Sequence, residues 1–223
     1  MTMIDLEAWE QRFITYVQAH LHNEDGAHDL KHFHRVWKTS RYINEQEGNV
    51  ADNLVLLAAA YFHDFVTVPK NHPDRSKVSK LSADKTKEIL ANDFPDFPKD
   101  KIDDVAHAVH AHSFSAAVTP ETPEAKILQD ADRMEAIGAI GLARVFYIAG
   151  LMKSSLFEAN DPFAKNRELN DSRYAIDHFP AKLLKLPAMM NTKTGKALGE
   201  KNAAYLQDFL HKLSDEIEGN WSV

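Results

Sequence analysis

An all-helical fold is what this sequence predicts, and three observations predict it. Apolar residues recur at helical spacing along most of the chain, alternating β-branched runs of the strand type are missing, and only eight glycines occur in 223 residues. Forty-four per cent hydrophobic and 26% charged residues give ample material for a core of one large helical domain.

The elements follow in order. Leu6, Trp9, Phe13, Tyr16, Val17 and Leu21 form one apolar stripe, and Phe33, Trp37, Ser40 and Ile43 form a second. Asp52 or Asn53 caps a third helix, whose segment LVLLAAAYF is apolar on all sides and therefore expected to be central and buried. Pro69 and Pro73 forbid a continuous helix over 66–81, a stretch that also carries Lys70, Arg75, Lys77 and Lys80. Ser82 is read as the start of the next helix, with FPDFP at 94–98 ending it. Asp100 and Asp103 resemble a capping arrangement before the face of Ile102, Val105, Val109 and His112. Thr122-Pro123-Glu124 reads as cap, first-turn proline and first-turn acid. Residues 159–172 are polar and read as loop, Pro180 and Pro187 are expected to divide short helical pieces, and Leu198 to Ile217 carry the last helix.

Composition narrows the chemistry. There is no cysteine, which excludes disulfide scaffolds, thiolate zinc sites, iron–sulfur clusters and cysteine nucleophiles. The most apolar stretch, 54–62, is too short to span a bilayer, and the opening MTMIDLEAWE lacks the pattern of a signal peptide, so the chain reads as cytoplasmic, with no membrane partner. A net charge of −7 argues against stable nucleic-acid binding. It leaves room for a small anionic substrate, because a metal and a few lysines reverse the potential locally.

Twelve histidines raise the question of which ones sit where a metal could use them. His63-Asp64 ends the buried apolar helix, where a carboxylate is costly without a cation and is further disfavoured by the helix C-terminus. The plain alternative is a locally hydrogen-bonded pair at a helix end. His28-Asp29 is a second such dipeptide, in a polar helix entry where Asp29 could simply cap. His28 and His32 are four apart and share a helical face, whereas His34 falls on another face and receives no role. Asp130 and Asp132, beside Arg133, form either a surface ion pair or a ligand with its neighbouring cation. His107, His110 and His112 lie on one helix but cannot all face one centre, and His112, at the helix end, is the best placed for a site role.

Together these residues resemble the HD superfamily of metal-dependent phosphohydrolases. The matching elements are His32-Phe33-His34-Arg35-Val36, then His63-Asp64, then Asp132-Arg133, in that order. The resemblance implies His32, rather than His28, as first ligand and Asp132 rather than Asp130 as last, completing a set of His32, His63, Asp64 and Asp132. The segments AHDLKHFHRVW, AAAYFHD, HAHSF, KILQDADRMEAIGAIGLAR and DHFPAKLLKLP are similar to the bacterial YedJ/YpgQ-type branch, so the likeness spans roughly residues 25–195. It implies a single HD-type helical bundle over 1–223, with an HD core over about 25–150 and a C-terminal helical part over 151–223. It also implies hydrolysis of nucleoside triphosphates to monophosphate and pyrophosphate. His112-Ser113-Phe114 stands where cyclic-di-GMP hydrolases carry their signature, which disfavours that activity.

Two imidazoles and two carboxylates suit one divalent ion, Mn²⁺ first, with Ni²⁺, Co²⁺, Fe²⁺, Zn²⁺ or Mg²⁺ as alternatives. Four protein ligands leave positions for water and for a phosphate oxygen, with His63 and Asp64 at the reacting centre. His28, Lys70, Arg75, His112 and Lys182 are the candidates to hold the substrate, a nucleotide or other phosphate ester, although each of the three cations could equally be a solvated surface charge. Three other readings stay open: a nucleoside monophosphate phosphatase, a catalytically silent metal-binding module, and a di-iron HD-type oxygenase that would recruit further ligands such as His112.

Overall fold

The computed structural model describes residues 4–20, 29–67 and 77–221. Among them the chain is helical, and the only strand-like feature is an isolated bridge between Ser155 and Tyr174. Helices α1 (Leu6–His20), α2 (Leu30–Gln46), α3 (Asn53–Phe62), α4 (Val78–Asn92), α5 (Ile102–Ala111) and α6 (Pro123–Met134) are followed by α7 (Gly138–Leu151), a short α8 (His178–Ala181) and the long α9 (Lys193–Glu218). No single described helix is long and apolar enough to cross a membrane. The chain divides into two compact units, Met1–Asp132 and Arg133–Val223.

In the first unit α3 is the axis. Every residue from Leu54 to Phe62 is buried, and the helix packs against α1, α2, α4 and α5. Burial of each large side chain in such a helix contributes about 1.5–3 kcal/mol. Asp52 caps it, accepting from the Leu54 and Val55 N–H groups at 2.8 and 3.2 Å, and it also pairs with Lys101. The Asp52 N–H in turn donates to Glu124 Oε1 at 2.7 Å, which ties the start of α3 to the start of α6. Phe13 of α1 is fully buried, with the rings of Phe62, Phe94 and Trp9 at 5.3, 5.1 and 5.5 Å.

Three local expectations change. Ser82 lies inside α4, which starts a turn earlier, at Val78. Its buried face carries Ser79, Ser82 and Thr86, short polar side chains that an apolar periodicity does not register. The Ser82 hydroxyl both accepts from the Val66 N–H and donates to its carbonyl, so its polarity is spent on anchoring the segment after His63-Asp64. α5 begins without a side-chain cap; Asp103 instead pairs with Lys87 at 2.5 Å. Pro180 sits within α8 rather than beside it, in a first turn where a missing N–H costs nothing, and Pro187 lies inside a 3-10 segment over Leu183–Met189.

The second unit has its own core of Ile137, Ile176, Phe179, Leu183, Leu186 and Leu206. Its irregular stretch is held by Asp177, nearly fully buried, which accepts from Arg167 at 2.5 and 2.7 Å and from the Asn170 N–H at 2.6 Å. Gly141 permits the chain reversal before α7, since a Cβ there would lie 2.2 Å from the Ala136 carbonyl.

Candidate metal centre

Four helix ends of the first unit build the centre. Asp29 caps α2, its carboxylate accepting from the His32 N–H at 2.9 Å, so His32 occupies the first turn with its ring fully buried. His63 is the residue at which α3 stops, and Asp64 follows it. His112 occupies the same position at the end of α5, and Asp132 comes from the last turn of α6.

The Nε2 atom of His63 is the hub. His32 Nε2 lies 3.1 Å from it, and Asp132 Oδ1 and Asp64 Oδ2 each lie 3.7 Å from it. Asp132 Oδ1 is also 3.7 Å from His32 Nε2. On the other side His112 Nε2 lies 3.3 Å from Asp64 Oδ1, and its ring stands edge-on to that of His63 at 4.8 Å. The backbone sets the tautomers. His63 Nδ1 is 2.9 Å from the Ala60 carbonyl and His112 Nδ1 is 2.6 Å from the Val109 carbonyl. A carbonyl only accepts, so each Nδ1 carries the hydrogen and the neutral ring presents the Nε2 lone pair.

Both lone pairs are aimed at carboxylate oxygens, an arrangement that is repulsive without a cation, and His32 Nε2 stands 3.1 Å from that of His63. A divalent ion bound at about 2.0–2.2 Å places neighbouring ligand atoms roughly 3 Å apart, which the His32–His63 separation matches. The donor set and its spacing therefore fit a divalent metal, and two overlapping groups, His32/His63/Asp132 and His63/Asp64/His112, have the spacing to hold one. Without the ion, a proton takes its place. Burial disfavours the His63 cation, but the charge of Asp64 and the hydrogen bond and charge of Asp132 outweigh that and push the pKa up to about 9. For Asp132, burial favours the neutral acid, yet the surrounding imidazoles, His63 foremost, hold it well below the ordinary carboxylate range.

Sequence similarity now adds what geometry alone does not. The HD-domain family model matches residues 29–137, and the YpgQ protein of Bacillus subtilis is 34% identical over 209 residues, 92% of each chain. This chain belongs to the HD-domain family. HD domains bind a divalent metal and act as phosphohydrolases, so the protein is placed among metal-dependent phosphohydrolases. The crystal structure of B. subtilis YpgQ in complex with ADP superposes with a TM-score of 0.70 at 29% identity, covering 94% of this chain and 95% of that one. An HD-superfamily hydrolase from Bacillus thuringiensis gives 0.72 at 26% identity, with 94% and 97% covered. The HD match spans α2 to α6, the helices that carry all five polar side chains of the centre.

Of the sequence candidates, His32, His63, Asp64, Asp132 and His112 are brought together. His28, Lys70 and Arg75 lie outside the described residues, and Lys182 belongs to the second unit, between α8 and the 3-10 segment. The neighbours of His112 do bland work: His107 Nε2 accepts from the Glu121 N–H at 3.0 Å, and His110 is a partly buried ring whose pKa is lowered by burial and by Lys80. Arg133 donates to the Met189 carbonyl. One residue close to the centre's supports carries no motif signal at all: Glu10, on α1, outside the HD match, is met by side chains of both α2 and α3.

Proposed function

We propose that the protein is a nucleoside triphosphate pyrophosphohydrolase in which His32, His63, Asp64 and Asp132 hold one divalent ion, Mn²⁺ in the first instance. The observation that carries the reading is the convergence of two carboxylates on the His63 Nε2 lone pair, beside the Nε2 atom of His32. When bound, the ion would supply Lewis acidity and an acidified water. The chain's own residues do the rest. The Ala60 carbonyl holds the proton of the neutral His63 ring on Nδ1, so that Nε2 is the nitrogen that binds once its own proton is displaced. Asp64 stands between His63 and His112, and its Oδ1 edge faces His112 Nε2. In the neutral ring that nitrogen accepts, and it would give a hydrogen bond to a phosphate oxygen or to the leaving group only with the ring in its doubly protonated form. His28, Lys70 and Arg75 complete the proposal as residues holding the non-reacting phosphates; a triphosphate tail offers such cations more charge than a monophosphate does. YpgQ in complex with ADP supports a nucleotide as the substrate class.

The test is product analysis. Purified protein with Mn²⁺ and each common nucleoside triphosphate should release pyrophosphate and the monophosphate in equal amounts, and His63→Ala should release neither. Orthophosphate from monophosphates, with triphosphates untouched, would make the protein a nucleotidase instead.

A further inference from the structure

The carboxylate of Glu10 on α1 is the meeting point of three side chains. Its Oε1 accepts from the Tyr61 hydroxyl at 2.9 Å and from His34 Nδ1 at 3.0 Å, while Oε2 accepts from the indole N–H of Trp37 at 3.1 Å. His34 Nδ1 also lies 3.1 Å from the Tyr61 oxygen, closing the network. Tyr61 is fully buried and Trp37 nearly so. An indole nitrogen only donates, and with the Tyr61 hydroxyl and the His34 N–H also directed at it, the network needs an acceptor with several lone pairs and no hydrogen of its own. An ionised carboxylate is that acceptor; an amide in its place would turn an NH₂ toward one of the donors.

The partners' positions give the network its consequence. His34 is two residues past His32 on α2, and Tyr61 is two residues before His63 on α3. A helix turns about 100° per residue, so each lies on the far side of its helix from the histidine of the centre. Glu10 thus grips α2 and α3 from behind at the turns whose front faces carry His32 and His63. Rotation of either helix would part the two Nε2 atoms that stand 3.1 Å apart, and a bound centre tolerates misplacement of only about 0.5 Å. The rest of α1 is anchored independently, by Arg12 to Asp96 at 2.6 and 2.7 Å, by Tyr16 to Asp93 at 2.7 Å, and by Phe13 in the core. Loss of the Glu10 charge therefore leaves the helix docked.

We propose that Glu10 is a positioning residue of the metal centre: by binding Tyr61, Trp37 and His34 together it sets the rotation of α2 and α3 and so aims His32 and His63 at a common ion. The proposal rests on the reading of those histidines as metal-holding. The test compares full-length wild type with Glu10→Gln, Arg12→Ala and His63→Ala, measuring Mn²⁺ affinity by calorimetry near neutral pH, the Mn²⁺ spin-resonance signal, and thermal stability. Glu10→Gln should weaken Mn²⁺ binding about tenfold, the lower end of what lost outer-shell support costs, and should alter the spin-resonance signal. Arg12→Ala should lower the melting temperature yet bind Mn²⁺ with unchanged affinity. His63→Ala should lose tight binding; retention there would bring down the metal reading and this proposal with it. Wild-type affinity in Glu10→Gln, or an equal weakening in Arg12→Ala, would overturn the proposal alone. Should Glu10→Gln fail to fold, Trp37→Phe removes one donor and keeps an aromatic, though smaller, ring. It should weaken binding by less than removal of the shared acceptor does, and unchanged affinity in that variant counts equally against the idea.

Discussion

The hydrogen bond from His63 Nδ1 to the Ala60 carbonyl, 2.9 Å long, decides what the other ring nitrogen does. In the metal-free protein Nε2 holds a proton, because Asp64 and Asp132 together outweigh the burial that disfavours the cation and carry the pKa up to about 9. The unfolded value is about 6.5. A raised pKa stabilises the fold fully below the unfolded value, and that stability is lost as pH rises through the folded one. Hence the metal-free protein loses this contribution between about pH 6.5 and about pH 9. A metal needs the lone pair that the proton occupies, so the two compete. Divalent-ion affinity should rise about tenfold per pH unit below about pH 9 and level off above it, with one proton released per ion bound. Calorimetry in buffers of different ionisation enthalpy measures both quantities. A flat affinity between about pH 6 and about pH 8, with no proton release, would show that no proton on His63 Nε2 competes with the ion there.

The helices place their chemistry at their ends, and Asp52 shows how the ends are secured. It caps α3 through two backbone N–H groups and pairs with Lys101, while its own N–H is taken by Glu124 at the start of α6. Burial works against its charge, but Lys101 and the two N–H groups prevail and hold its pKa below the ordinary value. A depressed carboxylate contributes stability above its unfolded pKa of about 3.9 and loses it as pH falls through the folded value. Asp52→Ala should cost about 1–2 kcal/mol at neutral pH, and the difference from wild type should shrink once the medium is acid enough to protonate the carboxyl. Denaturant titrations at neutral and at strongly acid pH check this; an unchanged difference across that range would remove the charge from the explanation. Asp52 was legible in the sequence because a cap is a local event. The start of α4 was not, because its buried face opens with Ser79 and Ser82, which an apolar periodicity does not register, and Ser82 finds its partner only in the Val66 backbone, 16 residues away.

Across the whole molecule the same distinction separates what the chain spells out from what only folding brings together. His32 and His63-Asp64 sit at helix ends with local signals, a cap at Asp29 and an all-apolar run ending at Phe62, whereas Asp132, in the last turn of α6, is singled out from Asp130 by the family pattern alone. Their convergence follows from the ordered family pattern, and His112 followed from its helix-end position. Glu10 had no such signal. It sits 24 residues from His34, 27 from Trp37 and 51 from Tyr61, and nothing local distinguishes it from the other acids of α1. The centre joins α2, α3, α5 and α6, so an ion bound there cross-links most of the first unit and should appear as global stability. A ligand that binds only the folded state adds about 2.7 kcal/mol at a hundred times its dissociation constant, which for a chain of this size is a rise of roughly 5–11 °C in melting temperature. Thermal scans over a Mn²⁺ series should show that rise growing with the logarithm of concentration in wild type, vanishing with chelator, and missing in Asp132→Ala. An equal rise in wild type and Asp132→Ala would mean that the stabilising ion binds elsewhere. Counting ions at saturation extends the test: about one per chain fits the hydrolase centre, whereas about two would recruit the second group of His63, Asp64 and His112 and favour a dinuclear enzyme.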